Sequence, residues 1–287
     1  MSVRIGAVEL EHPVLNASGT LDALAAEAAG VPVHRDVAAL VTKTITPLPR
    51  EGNPPPRLAE TPSGLLNSIG LANPGVDAFV ASLPALVGLG RPLVVSIGGF
   101  SVDDYARLAE ALERAPGVIA LELNISCPNV ETGCSSIGSD PAETANVVRA
   151  CRAVSSRPLW VKLSPNVPDV SVIARAAAGE GADALVCVNT LRGLAIEPWS
   201  GRPLLGAGTG GLSGPALKPV ALAAVWTCAS SCAIPVVGVG GVVCGRDALD
   251  LLDAGATAVQ VGTALFRDPR SIARVRAELA ELAGARQ

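Results

Sequence analysis

Short runs of consecutive apolar residues alternate along the chain with longer Ala- and Leu-rich segments whose apolar positions recur every three or four residues. The short runs predict strands at 14–18, 38–44, 92–97, 118–124, 158–163, 183–189, 234–239 and 257–262. The longer segments predict helices at about 21–30, 74–88, 101–115, 141–156, 168–179, 215–230, 245–254 and 269–283. Start signals sharpen two of these. Ser101 with Asp104 resembles a capping box, and Asp140-Pro141 sets a cap residue before a proline at the first helical position. Eight strands, each followed by a helix, predict an α/β chain folded as one (β/α)8 TIM barrel spanning 1–287. The uninterrupted aliphatic character of the strands suits a parallel sheet covered on both faces. An open doubly wound sheet is the alternative, and eight regular units weigh against it.

Three connections are too long for turns: about 45–73, 125–140 and 190–214. The first is dense in Pro and Gly and the last is rich in Gly. Each leaves the C-terminal end of a strand, where barrel enzymes build their sites, so these are read as active-site loops.

Composition changes this picture in a few places. Of 287 residues 49% are hydrophobic, yet only three Trp, one Tyr and three Phe are present, so the core is aliphatic. The mean hydropathy of +0.43 raises the question of a membrane, but no apolar stretch reaches the ~18 residues a spanning helix needs. Glu9, Glu11 and His12 interrupt the N-terminus where a signal peptide is apolar, so a cytoplasmic location is expected. A formal charge of −4 argues against nucleic acid as the main partner.

Seven cysteines, Cys127, Cys134, Cys151, Cys187, Cys228, Cys232 and Cys244, are odd in number and scattered, unlike a disulfide framework. Cys228 and Cys232 have no companions to complete a metal site, and no metal is expected. Cys127 differs from the rest, because it lies before Pro128 on a loop able to close over a pocket. His12 and His34 fall near the N-terminus, away from the catalytic end, and are assigned structural or surface roles. A proton-transfer role is left to Cys127 or a lysine.

The residues at the strand ends carry the chemistry. In order they are Ser18-Gly19, Lys43-Thr44, Ser96, Asn124, Lys162, Asn189-Thr190, Gly240-Gly241 and Gly262-Thr263. Two lysines beside aliphatic runs need an anionic partner, because an unpaired buried ammonium is costly. Glycines after the seventh and eighth strands suit a phosphate bound by backbone N–H groups. Asn67, Asn124, Asn129 and Asn189 offer paired donors and acceptors to a flat ring with alternating C=O and N–H groups, such as a pyrimidine.

Five stretches together resemble class 1 dihydroorotate dehydrogenases over nearly the whole chain: ELNISCPN (122–129), GLLNSIGLANPG (64–75), VKLSPN (161–166), TGGLSGPALKP (209–219) and VGVGGV (237–242). ETPSGLLNSIGLANPG (60–75) is more similar to subclass 1B than to 1A. The resemblance implies an FMN-containing barrel that oxidises dihydroorotate to orotate in de novo pyrimidine biosynthesis. It implies that Cys127 is the catalytic base, taking a proton from C5 while hydride leaves C6 for flavin N5, and that Lys43 touches both flavin and substrate. Asn67, Ser68, Ile69, Gly70, Leu71, Asn124, Asn189 and Thr190 match the substrate-binding set, with Asn129 on the covering loop. Ser18, Gly19, Lys43, Thr44, Ser96, Asn124, Lys162, Val188, Gly214, Gly240, Gly241, Gly262 and Thr263 match flavin-binding positions. Subclass 1B further implies a dimer of barrels flanked by two electron-transfer subunits that carry FAD and an iron–sulfur cluster and pass electrons to NAD.

The chain departs from the family pattern at Ser96, where asparagine is common, and in the 125–140 loop, where Cys134 and Ile137 replace a glycine and an aromatic. A reversible Cys127–Cys134 disulfide is one expectation raised by that loop. GCSSIGSDP (133–141) is similar to a segment of dihydropyrimidine dehydrogenase, so a related FMN barrel acting on another dihydropyrimidine is an alternative. Two others are a Schiff-base aldolase using Lys162 or Lys43 and a silent scaffold subunit.

Overall fold

Predominantly aliphatic strands hide both faces by pairing in parallel inside a shell of helices, and the computed structural model has that arrangement. It describes residues 2–31, 33–125 and 137–286. The chain opens with a hairpin, β1 (Val3–Ile5) and β2 (Val8–Leu10), turned at Gly6 with φ 59°. Strands and helices then alternate through β3 (Val14–Asn16), α1 (Ala23–Ala28), β4 (Leu40–Val41), β5 (Leu58–Thr61), β6 (Gly64–Asn67), α2 (Val76–Gly88), β7 (Leu93–Ile97) and α3 (Val102–Leu112). Next come β8 (Val118–Asn124), α4 (Pro141–Val154), β9 (Leu159–Lys162), α5 (Val170–Gly179), β10 (Ala184–Cys187), β11 (Leu191–Gly193), β12 (Gly210–Ser213) and α6 (Lys218–Ser231). The series ends with β13 (Val236–Val239), α7 (Gly245–Asp253), β14 (Ala258–Val261), a short α8 (Ala264–Arg267) and α9 (Ser271–Gly284).

Eight strands form one parallel sheet in the order β3-β14-β13-β10-β9-β8-β7-β4. Its two ends meet. The Val41 N–H donates to Asn16 Oδ1 at 2.9 Å, and Asn16 Nδ2 donates to the Val41 carbonyl at 2.7 Å. One turn further down, the Ala38 N–H donates to the Val14 carbonyl at 3.0 Å. A side-chain amide thus supplies pairing where the two strands diverge, and the sheet is a closed barrel. The open doubly wound alternative is set aside by this closure.

The apolar residues split into two groups by the two-residue alternation of each strand. Leu15, Val41, Val94, Ala120, Trp160, Val186, Val237 and Ala258 fill the barrel, with Ile5, Val8 and Leu10 of the hairpin packed into the same cluster. A larger group packs the outer strand faces against the helices. The Ser101–Asp104 capping box is present, and Asp140 accepts from the Ala142 and Glu143 N–H groups ahead of Pro141.

The long connections are more ordered than their composition suggests. The 45–73 and 190–214 segments contribute β5, β6, β11 and β12 to a second, antiparallel sheet, in the order β11-β12-β6-β5. Strands of three or four residues broken by glycine leave no recognisable alternation, so they read as loops. Within 45–73, Asn73 does the holding. Its Oδ1 accepts from the Thr46 and Gly75 N–H groups, and its Nδ2 donates to Thr46 Oγ1 and the Leu71 carbonyl. Leu71 is fixed there at φ 58°, a conformation that non-glycine residues enter only when their surroundings dictate it.

Both histidines are buried, 5% exposed each, which makes them structural and not surface residues. His12 accepts from the Val14 N–H through Nδ1 at 3.3 Å, and burial pushes the imidazole down to about 4. Among the described residues no helix is long and apolar enough to cross a membrane.

Candidate active site

A cavity of about 280 Å³ opens at the C-terminal mouth of the barrel, roofed by the antiparallel sheet. The expected site residues converge on it. Ser18, Gly19, Lys43, Thr44, Asn124, Lys162, Val188, Asn189 and Thr190 line it from the ends of β3, β4, β8, β9 and β10. Asn67, Ile69, Gly70 and Leu71 reach it from β6 and the chain beyond, and Gly214, Gly240, Gly241, Gly262 and Thr263 complete the wall.

Two expected residues do not reach the wall. Ser68 is fully buried and accepts from Asn53 Nδ2 at 2.8 Å, since it follows Asn67 and faces the other way. Ser96 is also fully buried, and its hydroxyl lies 2.9 Å from Thr44 Oγ1. Ser96 therefore supports Thr44 from behind in place of a direct contact. Cys127, Asn129 and Cys134 lie outside the described residues. Ile137, where an aromatic is common, is buried at 3% exposure.

The polar side chains form a connected chain. Asn189 Nδ2 donates to Asn124 Oδ1 at 3.2 Å, and Asn124 Nδ2 donates to Thr44 Oγ1 at 3.0 Å. The Thr190 N–H donates to Asn189 Oδ1 at 2.8 Å, and the Tyr105 hydroxyl donates to the Asn124 backbone carbonyl at 2.8 Å. Each amide is oriented by a neighbour, so the face presented to a ligand is set in advance. Asn67 Nδ2 donates to the Gly211 carbonyl at 3.1 Å, which ties β6 to β12 across the roof.

On β9, between the strands that lead to Asn124 and Asn189, Lys162 is almost wholly buried, with Ser18 Oγ 3.3 Å and Glu122 Oε1 3.5 Å from its ammonium. Both contacts are long, so an ammonium with three donors has room for a closer anionic acceptor in the cavity. Glu122 and Gln260 are the partners that sequence reasoning missed. Glu122 is fully buried within the barrel, and its Oε2 accepts from Gln260 Nε2 at 2.8 Å. ALELN held the signal: an acidic residue in an apolar strand, two positions before Asn124 and so on the same face.

The glycine pair after β13 has a built support. Gly240 and Gly241 stand at φ 138° and 74°, and a Cβ on Gly241 would lie 2.5 Å from Lys218 Cβ. Behind them Asp247 Oδ2 accepts from the Val243 and Cys244 N–H groups at 2.9 and 3.1 Å, while Lys218 pairs with Asp247 and Asp250. Burial works to raise the Asp247 carboxyl, but the bonds from Lys218 and the Val243 N–H outweigh it and leave the group below its ordinary range. Thr263 Oγ1 donates to Ser213 Oγ at 2.7 Å and closes the β14 end against β12.

This donor set fits an FMN. Gly240, Gly241, Gly262 and Thr263 let backbone approach a phosphate, Lys162 offers a cation to the electron-rich edge of a flavin ring, and a Cβ on Gly19 would meet nothing within 4 Å. No grouping of three metal-ligating side chains occurs among the described residues.

Comparison with known proteins agrees with the geometry. Residues 1–283 match the family described as dihydroorotate dehydrogenase. The chain is 50% identical over 279 residues to the dihydroorotate dehydrogenase B (NAD(+)) catalytic subunit of Desulforudis audaxviator, covering 97% of this chain and 91% of that one. It is also 50% identical over 270 residues to the protein of the same description from Trichlorobacter lovleyi, covering 94% and 88%. Among solved structures, DHODH of Eimeria tenella in complex with ferulenol superposes with a TM-score of 0.83 at 25% identity, covering 99% of this chain and 84% of that one. A closed eight-stranded barrel with this mouth, matched from end to end by these relatives, makes the chain a member of the dihydroorotate dehydrogenase family.

Proposed function

We propose that the chain is the FMN-carrying catalytic subunit of a B-type dihydroorotate dehydrogenase, oxidising dihydroorotate to orotate for pyrimidine synthesis. The observation that carries this reading is the pairing, in one cavity, of a nearly buried Lys162 with the oriented Asn189–Asn124–Thr44 chain. Bound FMN supplies the two-electron acceptor. The glycines after β13 and β14 would hold its phosphate, and Lys162 would offset negative charge at the ring. Asn67, Asn124 and Asn189 orient the substrate's amide groups, and Lys43, at the end of β4, attracts its carboxylate. Cys127 takes the proton from substrate C5. A free thiol is mostly protonated at neutral pH, so this step accelerates toward alkaline pH.

The names of the relatives support a partner subunit that accepts the electrons and passes them to NAD. A dimer of barrels flanked by two such subunits, each carrying FAD and an iron–sulfur cluster, is the assembly proposed.

Anaerobic addition of dihydroorotate with the flavin spectrum recorded tests the reading. The purified protein is expected to be yellow and to bleach on addition of substrate. Cys127→Ala should stay yellow and lose bleaching by about 10²-fold or more. A colourless protein that takes up no FMN overturns the proposal, and unchanged bleaching in the variant removes Cys127 as base.

A further inference from the structure

Glu122 lies in the barrel interior, beneath the cavity. It is fully buried on β8, and the register that pairs Asn124 with Lys162 and Glu122 with Trp160 sets it one layer below the Lys162 ammonium. Gln260 of β14 commits its amide N–H to Glu122 Oε2 at 2.8 Å, and its own Oε1 has no hydrogen-bond partner. The barrel thus leaves one buried amide oxygen unsatisfied while it sets an acidic side chain beneath Lys162.

The surroundings leave this charge one function. Among the described residues, the other strands present Ala17, Ser96, Val186 and Val239 to this part of the interior, none of which titrates. Lys43 is, among the described residues, the other charged group on the cavity wall. Among the described residues Glu122 is therefore the counter-charge paired with Lys162, and loss of its counter-charge favours the neutral form of a buried cation.

We infer that Glu122, clamped by Gln260, is a positioning residue that keeps Lys162 protonated and aimed at the flavin, so that the flavin is reduced without a proton moving to or from Lys162. The inference rests on the FMN reading above.

Potentiometric titration of the FMN-loaded protein between about pH 6.5 and 9.5 tests it. With Lys162 permanently charged, reduction of the flavin to its anionic reduced form takes up one proton per two electrons. In Glu122→Gln the oxidised protein carries a neutral Lys162, which takes a proton on reduction, so the slope of midpoint potential against pH doubles. Glu122→Asp, which keeps the charge, restores the single-proton slope. A Glu122→Gln slope parallel to that of the unaltered protein, with flavin bound, overturns the inference.

If Glu122→Gln folds without loading flavin, Gln260→Leu provides the reading. Its Glu122 carboxylate, stripped of the amide donor, takes up a proton on reduction, and the slope steepens at the acid end. An unchanged slope overturns the inference, as does loss of flavin from both variants in folded protein, which marks the pair as purely structural. Failure of the unaltered protein to bind FMN is a different result and overturns the functional reading itself.

Discussion

The Asn16 carboxamide satisfies both backbone groups of Val41, closing an eight-stranded ring whose first and second barrel strands otherwise part company. Asn16 is fully buried, so water does not replace these bonds when they are lost. Asn16→Leu is expected to lower stability by about 2–4 kcal/mol, because it strands a buried N–H and a buried C=O together. Asn16→Asp is expected to fall between, since a carboxylate accepts from the N–H but cannot donate to the carbonyl. Urea unfolding of the three proteins, followed by circular dichroism, orders them; equal midpoints would remove the closing role.

The Lys218–Asp247 clasp sits directly behind Gly240 and Gly241, the expected phosphate cradle. Asp247→Asn keeps the shape and removes the charge, so Lys218 retains only Asp250 and the Val243–Cys244 bend loosens. FMN affinity of the apoprotein, read by flavin fluorescence quenching, is expected to fall about 10-fold, with a loss of about 1–2 kcal/mol in stability. Because the folded-state Asp247 carboxyl is depressed, its stabilisation is present above the unfolded carboxylate range and is lost as pH falls through the lower folded value.

The barrel was legible because eight covered strands read as eight apolar runs, and the helices between them read by their period. The contact that closes it was not, since nothing in VLN says that the Asn16 amide answers a backbone 25 residues away. The roof sheet was hidden by its own composition: LAET and GLLN are too short to show alternation. At the site, polar and glycine residues ending apolar strands marked most of the polar wall that the barrel strands supply. Ser96 escaped correct placement because its hydroxyl turns onto Thr44, and Ser68 because a run of motif residues conceals which alternate ones face inward. Glu122 was missed for the opposite reason. Read as one letter of a motif, it hid the fact that a carboxylate in mid-strand needs a partner.

His12 makes the fold sensitive to mild acid. Its imidazole is held near 4 in the folded protein against about 6.5 when unfolded. Between those values the unfolded chain binds more protons than the folded one, so stability falls as pH drops from about 6.5 toward 4. The full shift corresponds to at most about 3 kcal/mol. Thermal midpoints from pH 7 to pH 4 should converge for the unaltered protein and His12→Gln, the variant being less stable at neutral pH and flatter across the range. Parallel curves would exclude His12 as the titrating group.

Gly211 packs β12 against the substrate end of the cavity so closely that a Cβ there would stand 1.9 Å from Thr190 Oγ1. The hydroxyl cannot remain in place, and its residue carries the N–H that orients Asn189. The Gly211 carbonyl also accepts from Asn67 Nδ2. One added methyl group thus disturbs two of the amides assigned to substrate while leaving the β13–β14 glycines untouched. Gly211→Ala is expected to raise KM for dihydroorotate by about 10-fold or more, the scale of one lost hydrogen bond to a charged or polar ligand group. The flavin spectrum and FMN affinity should be unaltered. A variant that instead loses FMN with KM unchanged would mean that the β12 roof serves the cofactor, and the assignment of Thr190, Asn189 and Asn67 to substrate would have to be exchanged for one to flavin.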